Sequence, residues 1–75
     1  MNAVTLRRIE PEENMRRFYR LDVQPDLFGG WSFIREWGRI GRPRQVRMTP
    51  FATVDDAHSA LMRQRQVKER RGYSA

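Results

Sequence analysis

The chain has 75 residues, no cysteine, one histidine and a formal net charge of +6. That length allows a single small domain, residues 1–75, whose core must come largely from its aromatic residues. The lack of cysteine excludes disulfides and thiolate metal sites, and His58 alone does not make a metal site. The basic balance favours an acidic partner, which charge alone leaves open between nucleic acid, a membrane surface and an acidic protein.

Arginine dominates the positive charge, because Lys68 is the only lysine among fifteen basic residues. Codon bias in a GC-rich genome explains this as well as function does, although arginine is the better side chain for bidentate phosphate contacts. Residues 1–8 contain no apolar stretch of signal-peptide length, and no segment approaches the roughly 20 apolar residues of a membrane span. The sequence therefore predicts a cytoplasmic protein that does not associate with membranes.

Two strands are predicted in the first third of the chain. Val4–Ile9 forms a short strand, and a polar, proline-containing turn over residues 10–14 ends it. Met15–Val23 forms a longer strand in which apolar and polar residues alternate, as in a half-buried antiparallel sheet. Residues 24–30, with proline, aspartate and paired glycines, predict a hairpin loop.

Two further strands and a helix follow. Trp31–Ile40 is rich in aromatic and β-branched residues, and residues 41–44 form a turn. Gln45–Met48 is a short strand closed by Thr49-Pro50-Phe51. Thr53 has the character of a helix N-cap, and the apolar side chains that follow it recur at helical spacing until Gly72. The predicted fold class is α+β, a four-stranded antiparallel sheet followed by one C-terminal helix packed on it.

The strand around Trp37 carries the strongest functional signal. Unbroken alternation places Arg35, Trp37 and Arg39 on one face, so that two arginines flank a stacking ring; a bulge at Gly38 would re-aim Arg39. Neither face of this strand is cleanly apolar, so parity does not decide which face meets the helix. Trp37 is read either as a core residue or as a stacking platform for a base or sugar.

The turn after this strand adds more positive charge. Arg42, Arg44 and Arg47 join Arg39 in a stretch that has no acidic residue through Val54. The residues are read either as a solvated basic rim or as a polyanion site. The predicted nucleic-acid-binding residues are Arg35, Trp37, Arg39, Arg42, Arg44 and Arg47, with Arg35 in a supporting role.

Nothing in the chain predicts catalysis. Phosphate-binding loops, nucleophile elbows and zinc spacings are absent from the sequence, and the carboxylates Glu10, Glu12 and Glu13 lie in a turn without an acid–base partner. We therefore expect neither an enzyme nor a protein that holds a metal or another cofactor.

The chain resembles the WGR domain family, which is named for its Trp-Gly-Arg triplet. Trp37-Gly38-Arg39-Ile40-Gly41 is similar to the central motif, and Asn14–Leu21 is similar to the opening strand with its aromatic-tyrosine pair. Ala57 and Lys68, followed by Gly72-Tyr73, resemble the terminal helix and its Gly-Tyr ending. The likeness spans about residues 14–73, with residues 1–13 forming an additional strand and turn.

The resemblance implies an antiparallel sheet with a helix packed on it. It also implies DNA binding near strand breaks, as in DNA-dependent poly(ADP-ribose) polymerases, where a similar domain lies beside the catalytic region. By position in the motif, the resemblance implies that Trp37 packs on the nucleic acid and that Arg39 helps to hold the DNA-bound domain assembly. Two features depart from that pattern: we expect no ADP-ribosyltransferase domain to follow, and Arg42-Pro43-Arg44 stands where a further glycine is common. The chain looks more like the small stand-alone WGR proteins of bacteria.

The first functional hypothesis is a non-enzymatic nucleic-acid-binding module, for DNA rather than RNA, with little sequence specificity and a preference for ends or nicks. The second is a protein–protein interaction adaptor that uses the Trp-Gly-Arg surface, because tryptophan and arginine are enriched at interface centres.

Overall fold

The computed structural model describes residues 3–75 and shows an antiparallel four-stranded sheet with one α-helix packed on it, as the sequence predicts. The strands lie side by side in the order β1-β2-β3-β4, each paired with its neighbour in the chain. Met1 and Asn2, which belong to the segment inspected for a signal peptide, lie outside the described residues. The elements are β1 (Val4–Glu10), a 3₁₀ turn (Pro11–Glu13), β2 (Met15–Pro25), β3 (Trp31–Arg39), β4 (Gln45–Phe51) and α1 (Val54–Arg70).

The pairing of β2 with β3 is continuous from Arg17↔Arg39 to Pro25↔Trp31. The register passes through Phe18↔Gly38 without an extra residue, so there is no bulge at Gly38. Side chains along β3 therefore alternate regularly between the two faces, and Trp37 and Arg39 share one of them.

The fourth strand is longer than predicted. It continues through Thr49 and Pro50 to Phe51, whereas the sequence predicts its end at Met48. A proline usually ends a strand, but β4 is at the edge of the sheet, where a proline can lie without removing a ladder hydrogen bond.

Helix α1 begins and ends where the local signals place it. The Thr53 hydroxyl caps the helix by accepting a hydrogen bond from the backbone N–H of Asp56 at 3.1 Å. Gly72 follows the last turn with a φ of 94°, in the left-handed region that glycine adopts without strain. Within residues 3–75, no helix has the length and apolar character needed to span a membrane.

The C-terminal segment returns to the sheet after Gly72. Ser74 forms an antiparallel bridge with Arg7 on the outer edge of β1, through backbone hydrogen bonds of 2.8 Å and 2.9 Å. This pairing holds Tyr73 against the end of the sheet, beside the C-terminal turn of α1.

The core lies between α1 and one face of the sheet, here called the helix side. Its buried side chains come from all of the first three strands and the helix: Leu6, Tyr19, Leu21, Val23, Phe33, Ala57 and Leu61. The opposite face of the sheet, here called the open face, has no second layer within residues 3–75. Alternation along β3 does not show which of its faces meets the helix, but the packing does: Phe33 and Trp37 are on the helix side.

Candidate nucleic-acid interface

A groove of about 530 Å³ lies on the helix side, at the end of the sheet where α1 ends. Pockets of this size accept small ligands such as a single nucleotide unit. Its principal walls come from two strands, the end of the helix and the C-terminal segment: Arg17, Tyr19, Trp37, Arg39, Lys68 and Tyr73. We refer to these six residues as the helix-side groove.

An aromatic stack forms the floor of the helix-side groove. Tyr19 and Trp37 are cross-strand partners, and their rings lie almost parallel, at 13°, with centroids 5.6 Å apart. Tyr19 is buried, whereas Trp37 is only partly buried. Tyr73 packs edge-on against Tyr19 at 6.2 Å. Trp37 is thus a neighbour of the core and at the same time a partly exposed ring.

Lys68 covers this stack from the last turn of the helix. Its ammonium lies 4.4 Å from the ring centroid of Tyr19 and 5.7 Å from that of Tyr73, within cation–π range of both. Partial burial lowers the pKa of the Lys68 ammonium below its ordinary value of 10.5, and the charges of Arg71 and Arg35 lower it further. A positive charge held under such repulsion gains from an incoming anion.

Three arginines cross the sheet in one row beside the aromatic stack. Arg8 pairs in register with Arg17, and Arg17 pairs with Arg39. Strand alternation places all three on the helix side. Like charges directly opposite each other destabilise a sheet, so this row is better suited to binding a polyanion than to stabilising the fold.

The turn between β1 and β2 fixes the ends of this row. The Arg39 guanidinium donates a 2.6 Å hydrogen bond to the backbone carbonyl of Asn14, which has a left-handed φ of 52°. Arg8 forms an ion pair with Glu10, in which Nε lies 3.0 Å from Oε1. A hydrogen bond with Glu10 raises the pKa of the Glu13 carboxyl, which lies at the groove. The hydrogen bond to Asn14 therefore orients Arg39 before any ligand arrives.

Arg42 and Arg44 lie elsewhere, on the open face. They line a separate groove of about 450 Å³ together with Phe18. Arg42 and Arg44 therefore do not line the groove beside Trp37, because the turn after β3 directs their side chains to the other side of the sheet. Their role in nucleic-acid binding stays a prediction. Arg44 also has an acidic partner, since it forms a 2.6 Å ion pair with Glu36 while its guanidinium lies 5.6 Å from the Phe18 ring. Glu36, eight residues before Arg44 in the chain, thus neutralises a positive charge for which the sequence predicts no acidic partner.

Arg35 and Arg47 face each other across β3 and β4, near the middle of the sheet. The Arg35 guanidinium lies 5.8 Å from the Phe33 ring, and its buried Nε finds no hydrogen-bond partner among the described residues. Arg35 shares a face with Trp37 and Arg39, as predicted, but only the latter two line the helix-side groove. Arg47 is exposed on the edge strand.

Four residues of the groove are absent from the predicted set: Arg17, Tyr19, Lys68 and Tyr73. Arg17 lies two positions before Tyr19, so alternation along β2 already places it on the same face. Lys68 is four residues beyond Gln64, whose side-chain amide donates to the Tyr19 hydroxyl at 3.2 Å. Helical periodicity would place Lys68 over the sheet. Among residues 3–75, no cluster of histidine and acidic side chains could hold a metal ion.

Charge is strongly divided along the length of the sheet. The half that contains the helix-side groove, residues 4–21, 35–47 and 63–75, carries all fifteen basic and five acidic residues, a net charge of +10. The other half, residues 22–34 and 48–62, carries four aspartates and neither lysine nor arginine, a net charge of −4. We call these the basic half and the hairpin half. Such a field directs a polyanion to the end of the molecule where the aromatic stack lies.

Comparison with known proteins identifies the family of this chain. The family model for the WGR domain matches residues 2–75. The chain belongs to the WGR domain family. The triplet of this WGR domain is the segment Trp37-Gly38-Arg39, in which Trp37 and Arg39 both face the helix-side groove.

One relative is an uncharacterized protein, y4dW, of Sinorhizobium fredii (strain NBRC 101917 / NGR234). It is 36% identical over 66 residues, which make up 88% of this WGR domain and 32% of the relative. The chain therefore spans about a third of the length of that protein. No solved structure gives a significant match.

Proposed function

We propose that this WGR domain is a non-catalytic module that binds nucleic acid in the helix-side groove. The observation that carries the proposal is the partly exposed Trp37 ring, stacked on Tyr19 and bordered by Arg17, Arg39 and Lys68. A flat aromatic ring takes the face of a base or sugar, and the three cations take the phosphates next to it.

Ends and nicks of DNA suit this groove better than an intact duplex. Trp37 offers a stacking surface inside a concave site, and a continuous duplex keeps the faces of its bases covered by their neighbours. A terminal or unstacked nucleotide enters a groove of about 530 Å³ without that cost. The groove cations are suited to phosphates, which carry no sequence information, so we expect little sequence specificity.

The distribution of charge supports the same partner. The basic half carries a net +10, so electrostatic steering brings a polyanion to the groove and keeps it away from the hairpin half. Contacts from Arg17, Arg39 and Lys68 to three phosphates predict that log K falls with log salt with a slope of about −2.7 on duplex DNA.

The deciding experiment is fluorescence anisotropy with a labelled nicked duplex, a hairpin-closed duplex and a single strand, each at two salt concentrations. Trp37→Ala is compared with Trp31→Ala, a matched control on the same strand and face but in the hairpin half. We expect Trp37→Ala to weaken binding to the nick roughly 5- to 150-fold, the loss of one stacking contact, and Trp31→Ala to leave it within about twofold.

Two results would contradict the proposal. One is the absence of salt-dependent binding to all three probes by a protein shown to be folded. The other is an equal loss of affinity in the two tryptophan variants. Either result would favour the adaptor, in which Trp37 and Arg39 contact a protein.

A further inference from the structure

A row of three arginines borders the helix-side groove at the end of the sheet. In register across the strands, Arg39 of β3 pairs with Arg17 of β2, and Arg17 pairs with Arg8 of β1. Arg17 and Arg39 line the groove, so the row extends one strand further than the cations that the proposed function uses. Neighbouring strands lie about 4.8 Å apart, which makes the row about 10 Å long.

Arg8 lies on the same side of the sheet as the groove. Leu6, two residues earlier in β1, is fully buried in the core under the helix, and alternation places Arg8 on that side as well. Gly72 approaches Arg8 so closely that a Cβ at residue 72 would lie 3.3 Å from the Arg8 Nε. Because Tyr73, the next residue, lines the groove, Arg8 is at the rim of the groove on the β1 side.

The Arg8 guanidinium is held in place and is still accessible. Its Nε donates to the Glu10 carboxylate at 3.0 Å, and this contact leaves the two terminal nitrogens outside the hydrogen bond. The Arg8 side chain is 31% exposed. An ion pair exposed to this extent contributes little stability, so a phosphate can share the guanidinium with Glu10 at small cost.

The surroundings of Arg39 decide the direction in which a bound chain runs. On the side of Arg39 away from β2 lies the turn before β4, and its Arg42 and Arg44 line the groove on the open face. In the other direction, Arg17 and Arg8 continue the positive charge on the helix side. A backbone that reaches Arg39 is therefore attracted across the sheet towards β1.

The length of the row indicates what kind of nucleic acid fills it. Trp37 and Arg39 are two residues apart on one face, about 6.6 Å, so a base stacked on Trp37 has its backbone beside the row. One strand of DNA carries a phosphate about every 3.4 Å along its axis, so a row of about 10 Å faces about three phosphates. At a flush end the bases are paired and must separate first, whereas an unpaired tail offers its bases and phosphates directly.

We propose that the helix-side groove binds an unpaired tail of about three nucleotides at a DNA end, with a base on Trp37 and the backbone along Arg39, Arg17 and Arg8. The inference rests on the proposed function, because it requires nucleic acid in this groove. It adds the class of DNA end, which is a protruding single strand, and a residue, Arg8, that a flush end does not reach.

Fluorescence anisotropy at several salt concentrations tests the tail. The labelled probes are hairpin-closed duplexes with one open end, which is flush or carries a tail of one, three or six nucleotides on either the 5′ or the 3′ strand. Arg8→Gln is compared with Arg7→Gln, a matched control at the adjacent residue, whose side chain lines the groove on the open face. Glutamine keeps most of the length of the side chain, and circular dichroism establishes that both variants are folded.

We expect the wild type to bind a three-nucleotide tail of one polarity roughly fivefold or more tightly than a flush end, with a six-nucleotide tail within about twofold of it. Arg8→Gln should weaken binding of that tail roughly fivefold at about 0.1 M salt and reduce the magnitude of the salt slope by about 0.7, the effect of one phosphate contact with a single strand. Arg8→Gln should leave the flush end within about twofold, and Arg7→Gln should leave both probes within about twofold.

The proposal would be overturned by equal affinity for tailed and flush ends, or by affinity that rises steadily up to six nucleotides. It would also be overturned if Arg8→Gln kept the full affinity for the tail, or if Arg7→Gln lost as much as Arg8→Gln. Trp37→Ala separates this inference from the proposed function. If the proposed function fails, no probe shows binding that depends on Trp37; if only the tail inference fails, the flush end is still bound in a way that depends on Trp37.

Discussion

Trp37 lies parallel to Tyr19 across the β2–β3 pair, with ring centroids 5.6 Å apart and planes inclined by 13°. Tyr19 is in turn held by the core on one side, by Gln64 through its hydroxyl and by the ammonium of Lys68. The orientation of the partly exposed indole is therefore set by a buried residue. A ligand that stacks in the groove meets a ring that needs no rearrangement.

Tyr19→Phe should show whether the site depends on the ring of Tyr19, which stacks on Trp37, or on its hydroxyl, which accepts from Gln64. The substitution keeps the ring stacked on Trp37 but removes the contact from Gln64, so we expect a loss of about 1 kcal/mol in the free energy of unfolding. Affinity for a nicked duplex should stay within about twofold of the wild type. Urea denaturation and anisotropy measure the two quantities, and a large loss of affinity in a stable Tyr19→Phe variant would show that the hydroxyl itself touches the ligand.

Arg17 and Arg44 should differ as contributors to nucleic-acid binding. Arg17 lines the helix-side groove, whereas Arg44 lies on the open face in an ion pair with Glu36. Arg17→Ala should weaken binding to DNA and reduce the magnitude of the salt slope by about 0.9, the effect of one lost phosphate contact. Arg44→Ala should leave the slope unchanged. Titrations of both variants at several salt concentrations check this, and a smaller slope only in Arg44→Ala would place the nucleic acid on the open face.

Lys68 should make DNA binding sensitive to alkaline pH. Its lowered pKa means that the ammonium loses its proton at a lower pH than an ordinary lysine, whose value is 10.5. A neutral Lys68 contacts phosphate poorly, so affinity should fall as the pH rises through that lowered pKa. Anisotropy titrations over the alkaline range, for wild type and Lys68→Arg, measure the effect.

Arginine stays charged throughout that range, so Lys68→Arg should bind with little dependence on pH. A pH profile shared by the wild type and Lys68→Arg would show that Lys68 is not the source of the effect.

The lowered pKa of Lys68 also affects stability. The folded environment disfavours the charged ammonium, whereas a stabilising partner would favour it. The unfolded chain holds the Lys68 proton more tightly than the folded chain does. Below the folded pKa, both states are charged and the cost of burying the ammonium is present in full. That cost diminishes as the pH rises from the lowered pKa towards 10.5, so the contribution of Lys68 to stability increases over that interval.

Thr53 should matter for folding and not for binding. Thr53→Ala removes the hydroxyl that accepts from Asp56, so we expect a loss of about 1 kcal/mol in the free energy of unfolding. Thr53→Ser keeps the hydroxyl and serves as the control. Urea denaturation measures both, and equal stability of the alanine and serine variants would mean that the cap contributes nothing.

The sequence by itself determined the elements and their order. Alternation along residues 15–23 and 31–40 predicts strands, and helical spacing after Thr53 predicts the C-terminal helix, because both periodicities follow from local backbone geometry. The Trp-Gly-Arg segment likewise directs attention to Trp37 and Arg39, and both line the helix-side groove. Alternation is preserved through Gly38, so the predicted shared face of these two residues is confirmed.

Only the tertiary structure decided which charges act together. A site assembled from two strands, a helix end and a returning C-terminal segment depends on register and on the directions of turns, and neither is encoded by the spacing of residues along one strand. Arg17 and Lys68 therefore join Trp37 although they are distant in the chain, while Arg42 and Arg44, only five and seven positions away, lie on the opposite face. Packing of α1 on one side also left the other side of the sheet, which includes Ile34 and Met48, uncovered within residues 3–75, and the alternation of single strands does not reveal this.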